Sequence, residues 1–156
     1  MGTEQTEQIT ELLNNAHVKY KVMMHKPVYT SEEAAGVRKI PLKAGVKSLI
    51  FKINLDEFKL VLVRGDKKAD VGKLKLIVNS KNIRLASPEE VLRISGCEIG
   101  SVHPFGMLMG LEIIMDKSIL ENESVDFNIG QHTHSAEMKA LDLVKILKPR
   151  IEEFTL

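Results

Sequence analysis

The chain has almost no cysteine. Its 156 residues hold one, Cys97, so no disulfide can form within it. With no signal-peptide pattern at the start, that composition is the one expected of a reducing, cytoplasmic setting. Tryptophan is absent and aromatic residues make up 4%, so the core must come from Leu, Ile, Val, Ala and Met. Excess charge is also missing. Lys plus Arg total 22 against 21 Asp plus Glu, a formal net charge of +1. This balance excludes a general nucleic-acid coat or a membrane-surface protein held by bulk charge. Local contact with the end of a nucleic acid remains open. No apolar run approaches the ~20 residues that span a bilayer. What is present is ordinary globular material, 44% hydrophobic and 28% charged. One domain of this length buries roughly 68–70% of its unfolded surface, so neither disulfide nor metal is needed to stabilise it.

No repeat, low-complexity tract or linker divides the chain. It reads as one domain from about Thr3 to Leu147 with a short polar tail. Ile9, Leu12, Leu13 and Ala16 recur at helical spacing. Thr30, three residues before Glu33, opens a second helix through a capping pattern, and Gly36 is expected to end it early. Lys47–Asn54 and Phe58–Gly65 are β-rich runs joined as a hairpin. Asp70–Asn79 reads as a helix and Ile83–Ala86 as a strand. The clearest helix follows: Ser87 as N-cap, Pro88 in the first turn, Glu90 completing a capping box, Gly96 as the stop. Leu111–Asp116, Val125–Gly130 and Ser135–Lys139 look like strands, and Ala140–Leu147 is an amphipathic final helix. Hairpins outnumber βαβ units. The expectation is therefore an α+β domain with a mixed sheet wrapped by helices. Leu49, Phe51, Leu60, Leu62, Leu92 and Ile113 are expected in its core.

Several residues could carry chemistry. Lys47 begins an otherwise apolar strand. It is either a solvated strand end or a cation at a pocket rim that grips an anion. Gly100–Gly110 holds three glycines and a proline, which suits a plain connector or a backbone that closely approaches a ligand. His132 and His134 form an H-x-H pair that, with His103 or Cys97, would make a weak zinc candidate. No H-E-x-x-H, C-x-x-C, G-x-S-x-G, P-loop or dinucleotide pattern occurs. Lys67, Lys68, Lys73, Lys75 and Lys81 read as a solvated face or as a patch guiding a phosphate backbone.

Taken in order, these pieces resemble the YbaK/prolyl-tRNA synthetase-associated family. The resemblance runs through His25, Ser31–Ala35, Gly45–Leu49, VLVRGDKKAD, KLKLIVNSKNIRLASPEEV and SGCEIGSVHPFG. It continues to the strand ending in Asp116 and to Phe127–Gly130. It implies a single domain over 1–156, with its core about 22–148, and a curved mixed, mainly antiparallel sheet. It implies hydrolysis of the ester joining a wrong amino acid to the terminal adenosine of a tRNA, with no metal, cofactor or covalent nucleophile. Lys47 matches the family's signature lysine, and Gly100–Pro104 its G-x-x-x-P loop. Lys47 and Gly100 are thereby expected in catalysis. His25, Ser101, Val102, His103, Pro104, Phe105, Gly106, Gly130, His132 and His134 are expected to bind substrate. Either His132 or His134 would face the pocket. His103, where many relatives carry a smaller residue, is a departure that bears on pocket size. The implied partners are the aminoacyl-tRNA acceptor end and an aminoacyl-tRNA synthetase, with no membrane and no DNA. The chain shows no synthetase module, so action in trans on a small wrong amino acid (Ala, Cys or Ser) is expected. Two other readings stand beside this one: a non-catalytic tRNA-end or nucleotide-binding module on the same fold, and a small metallohydrolase using His103, His132 and His134.

Overall fold

The computed structural model describes residues 2–156. Two sheets form the framework. Strands β1 (Tyr20–Met24), β6 (Ser124–Asn128) and β7 (His134–Lys139) make an antiparallel sheet in the order β1-β7-β6. Strands β2 (Val46–Ile53), β3 (Glu57–Arg64), β4 (Ile83–Leu85), β5 (Glu112–Asp116) and β8 (Arg150–Glu152) make the other, in the order β4-β2-β3-β5-β8. There β3–β5 and β5–β8 are parallel and the remaining pairs antiparallel. A bridge between Gly45 and Asp126 joins the two sheets. Helices α1 (Thr3–Asn15), α2 (Ser31–Arg38), α3 (Val71–Ile77), α4 (Pro88–Ser95) and α5 (Ala140–Leu147) surround them. The molecule is the single α+β domain with a mixed, mostly antiparallel sheet that the sequence led one to expect.

The strand period explains the layers. Along β3, Leu60 and Leu62 point into the main core with Ile9, Leu13, Phe105, Phe127 and Leu143. Val61 and Val63 point the other way, into a second cluster with Phe51, Leu74, Ile114 and Phe154. A strand buried on both faces reads as a continuous apolar run, which is how Leu60–Val63 appears in sequence.

Local chemistry sets the helix ends. Thr30 Oγ1 accepts from the Glu33 amide, Asp70 caps α3 at Lys73, and Ser87 with Glu90 forms the expected capping box. Gly36 does not stop α2. The helix runs to Arg38, and Lys39 takes the left-handed terminal position at φ 57°. A glycine in a helix costs only about 1 kcal/mol, so it cannot end one that is otherwise capped and packed. This continuation carries Arg38 into the interior.

Three expectations fail. Leu92 is not core: it is 39% exposed, because α4 turns Val91 and Ser95 inward instead. Leu49 is only partly buried, packed on the edge of the second cluster. The tail is not a polar appendage, since β8 extends the larger sheet and Phe154 is fully buried. Strand β1 also went unforeseen. Buried Ile9, Leu13 and Phe154 carry the core beyond residues 22–148.

One feature of the sheet creates the site. Strand β4 pairs with β2 only at residues 51–53, while β3 pairs along all of β2. Beyond those pairs the Ala86 amide donates to the Ile50 carbonyl at 2.8 Å, and the opposite edge of β2 is uncovered from Val46 to Leu49.

Candidate active site

Between that edge, α2 and the segment 99–102 lies a cavity of about 360 Å³. Lys47, Ser48, Ile50, Val91, Ile99, Gly100, Val102 and Val28 supply much of its wall. Arg38, Asp126 and Asn128 supply a polar side.

Lys47 is half-buried and its Nζ donates to the carbonyl of Lys67. Burial pushes the pKa of its ammonium down, and the nearby Glu32 and Asp66 carboxylates oppose that push. It has no carboxylate at ion-pair distance among the described residues.

Gly100 lines the same cavity at φ +91°, a conformation that favours glycine. A Cβ there would meet His132 Cε1 at 3.3 Å and the Tyr29 carbonyl at 3.5 Å. The Asn128 side-chain amide donates to the Gly100 carbonyl, which fixes the peptide's direction.

The loop that follows divides in two. Gly100 and Val102 line the cavity, whereas Ser101 is committed elsewhere. Its amide and hydroxyl both donate to the Glu98 carbonyl, at 3.0 and 2.8 Å, and its own carbonyl accepts from Gly130 N. His103, Pro104, Phe105 and Gly106 are buried and absent from the cavity wall. His103 Nδ1 accepts the Phe105 amide at 3.1 Å, and burial drops its pKa to about 4. Phe105 meets Phe127 edge-on at 5.7 Å. A Cβ on Gly106 would strike Ile113 Cγ1 at 2.6 Å. This half of the loop is core, and the extra bulk of His103 lies behind the pocket rather than in it.

The two histidines of the H-x-H pair part company. His132 Nδ1 lies 3.0 Å from the Val28 carbonyl, and its ring sits 4.4 Å from that of Tyr29, beside Gly100. His134 Nδ1 bonds its neighbour Thr133 at 2.7 Å, on a strand position facing Met24. Gly130, at φ +107°, holds the turn between them and Gly100 by donating to Ser101. Cys97 is buried in the main core. Among the described residues, no three of the His, Cys, Asp and Glu side chains gather as a metal group.

His25 reaches the cavity only at second hand. Its Nδ1 lies 2.8 Å from the Lys26 carbonyl and its Nε2 2.7 Å from Ser135 Oγ. A carbonyl cannot donate, so Nδ1 carries the proton in the neutral ring and Nε2 accepts from Ser135. That leaves Ser135 Oγ to accept from Arg38 Nε at 2.8 Å.

Arg38 is the residue the sequence reading missed. Its side chain is 5% exposed; one end bonds Asp126 Oδ1 at 2.5 Å and the other bonds Asn128 Oδ1. Burial lowers the guanidinium pKa and raises that of Asp126, with the ion pair resisting both. The signal was in V-D-F-N: Asp126 and Asn128 alternate with Val125, Phe127 and Ile129, so strand period puts both polar groups on one face.

Residues 25–146 match the aminoacyl-tRNA editing domain. The chain belongs to that family. It is 26% identical over 157 residues to the Escherichia coli K12 protein named multifunctional Ser/Thr-tRNA deacylase ProXp-y, covering 98% of this chain and 94% of that one. It is 35% identical over 112 residues to the proline–tRNA ligase of Bacillus subtilis, covering 70% of this chain but 20% of the ligase. A crystal structure described as a candidate trans-editing enzyme for prolyl tRNA synthetase superposes with a TM-score of 0.87. At 24% identity over 99% of this chain and 98% of that one, this likeness speaks for the fold.

Proposed function

We propose that the protein is a trans-acting hydrolase that removes a small wrong amino acid (Ala, Cys or Ser) from a mischarged tRNA. The observation that carries the reading is one cavity lined by Lys47 of β2 together with Gly100 and Val102, in a chain of the editing family. Action in trans is supported by the match along 94% of the Escherichia coli protein named a Ser/Thr-tRNA deacylase, and the cytoplasm, where tRNA is charged, is the setting it requires.

An aminoacyl ester is already activated, so the site needs a positioned water, a held ester and donors for the oxyanion. Water adds to the carbonyl carbon, the bond to the ribose oxygen breaks, and that oxygen leaves with a proton. With Ser101 N–H occupied, the amides of Gly100 and Val102 are the loop donors nearest the cavity. Lys47 would exchange the Lys67 carbonyl for the terminal phosphate or ribose. The apolar walls of Val46, Ile50, Val91 and Val102 would exclude a larger cognate side chain. The acceptor end is the required partner. A synthetase that releases the mischarged tRNA is a further one.

The test is a panel of mischarged tRNAs incubated with the wild-type protein and with Lys47→Ala. Release of Ala, Cys or Ser by the wild type, slowed in the variant, is the expected result. If no ester is cleaved although the acceptor end binds, the protein is instead a binding module on this fold.

A further inference from the structure

We propose that Asp126 Oδ2 and Ser48 Oγ form the receptor for the α-ammonium of the bound aminoacyl ester. The inference rests on the deacylase reading but names residues that neither the sequence motifs nor that reading supplied.

These two atoms share one property. Each is a buried side-chain oxygen without a hydrogen-bond partner. Both residues line the same cavity. Orphaned buried polar atoms are rare, and two beside one cavity call for an explanation. Asp126 is 2% exposed; its Oδ1 is taken by Arg38 while Oδ2 bonds nothing. Arg38, itself tied to Asn128 and Ser135, anchors Oδ1 and leaves Oδ2 as the free oxygen of the carboxylate.

Ser48 adds a second contribution. The Ile50 carbonyl accepts the Ala86 amide on the β4 side of β2, where the covered part of that edge ends. In an antiparallel pair, main-chain direction alternates, so Ser48, two residues earlier, points its own N–H and C=O off that edge. Position 48 therefore offers a hydroxyl and a carbonyl in one place.

The chemistry then selects the occupant. A carboxylate oxygen, a hydroxyl and a carbonyl are all acceptors, and an ammonium brings three donors and no acceptor. A seryl hydroxyl brings one donor, and would leave the amine of the same substrate without a carboxylate oxygen to donate to. Every aminoacyl ester carries that amine, and burying a cation without an acceptor is costly. Among the described residues that line the cavity, Asp126 is the sole carboxylate.

The test compares alanyl-tRNA with L-lactyl-tRNA, made from it by replacing the amine with a hydroxyl of similar size. Each rate is divided by the ester's uncatalysed hydrolysis, which removes the intrinsic effect of the ammonium. The wild type should favour alanyl by about 10- to 100-fold, as expected for a charge-assisted bond. Asp126→Asn, which keeps an oxygen for Arg38, should collapse the ratio toward one. Ser48→Ala removes a hydroxyl that bonds nothing in the fold, and should lower the ratio about 3- to 10-fold.

Binding is read in parallel by NMR titration with 3′-alanylamino-3′-deoxyadenosine and its lactyl counterpart. If no ester is cleaved but the alanyl probe still binds in an Asp126-dependent way, the deacylase reading falls and the receptor stands. Equal handling of both probes by the wild type would overturn the receptor. So would an unchanged ratio in Asp126→Asn, or, should that variant not fold, in Ser48→Ala.

Discussion

Two cations line the cavity, Arg38 with a buried side chain and Lys47 half-buried, and they are held in opposite ways. Arg38 has every group engaged: Asp126, Asn128 and Ser135 take its donors, and its charge is balanced on the spot. Lys47 has only the carbonyl of Lys67 and no carboxylate at ion-pair distance among the described residues. A cation that brings its own counter-ion can serve the fold without a ligand. A half-buried cation that rests on a neutral dipole gains by meeting an anion from outside. The difference separates the residue that shapes the pocket from the one available to the substrate.

The comparison is broken most severely at Arg38. Arg38→Met should destabilise the protein by about 3–5 kcal/mol in urea unfolding, because Asp126 is left buried and unpaired. Adding Asp126→Leu should recover much of that loss. If Arg38→Met is neutral, the pair is not structural and the contrast with Lys47 fails.

Next comes acid, acting through His103. Burial drops its pKa to about 4, below the usual 6.5. Above pH 6.5 neither folded nor unfolded chain holds the proton. Between 6.5 and about 4 the unfolded chain binds it and the folded one does not, so stability falls as pH falls. The total effect is about 3 kcal/mol. His103→Asn, which retains an acceptor for the Phe105 amide, should flatten that part of the profile relative to wild type. An unchanged slope would mean that the back half of the loop is more open than its burial indicates.

At Lys47 the expected effect moves from stability to activity. Lys47→Ala should cut deacylation about 10- to 150-fold, the worth of one charge-assisted bond. Its unfolding free energy in urea should change by less than about 1 kcal/mol. A variant that unfolds like Arg38→Met would erase the distinction. Smallest is Ser87→Ala, at a residue that does not itself line the cavity, which should cost about 1 kcal/mol of stability through the lost capping box and leave deacylation within about twofold of wild type.

Sequence pattern carried most of the fold because local rules decide most of it. The capping residues Thr30, Asp70 and Ser87 and the β2–β3 hairpin are written in short-range chemistry. What stayed hidden depends on pairing at a distance. Strand β1 contains Tyr20, Lys21 and exposed Met24 and is specified by its partner β7 rather than by its own alternation. Strand β8 is three residues long and is defined by β5. The site divides similarly. Lys47, Gly100 and Val102 do come together at the cavity, while His103–Gly106 read as a loop but serve as core. Gly and Pro mark an unusual backbone without saying which side faces solvent. Arg38 was obscured by Gly36, whose cost the cap at Thr30 and the terminal Lys39 absorb.

The short last strand also constrains how the chain acquires its shape during synthesis. Strand β8 lies parallel to β5, more than thirty residues upstream, as Ile114 pairs with Arg150 and Asp116 with Glu152. Asp116 Oδ1 then accepts the Phe154 amide at 2.9 Å, and the Phe154 ring fills the second cluster beside Phe51 and Val63. While residues 150–155 are still inside the ribosomal exit tunnel, β5 has an unpaired edge and that cluster has a vacancy. Until those residues have left the tunnel the larger sheet cannot close, and in that interval the β5 edge is open to other strands.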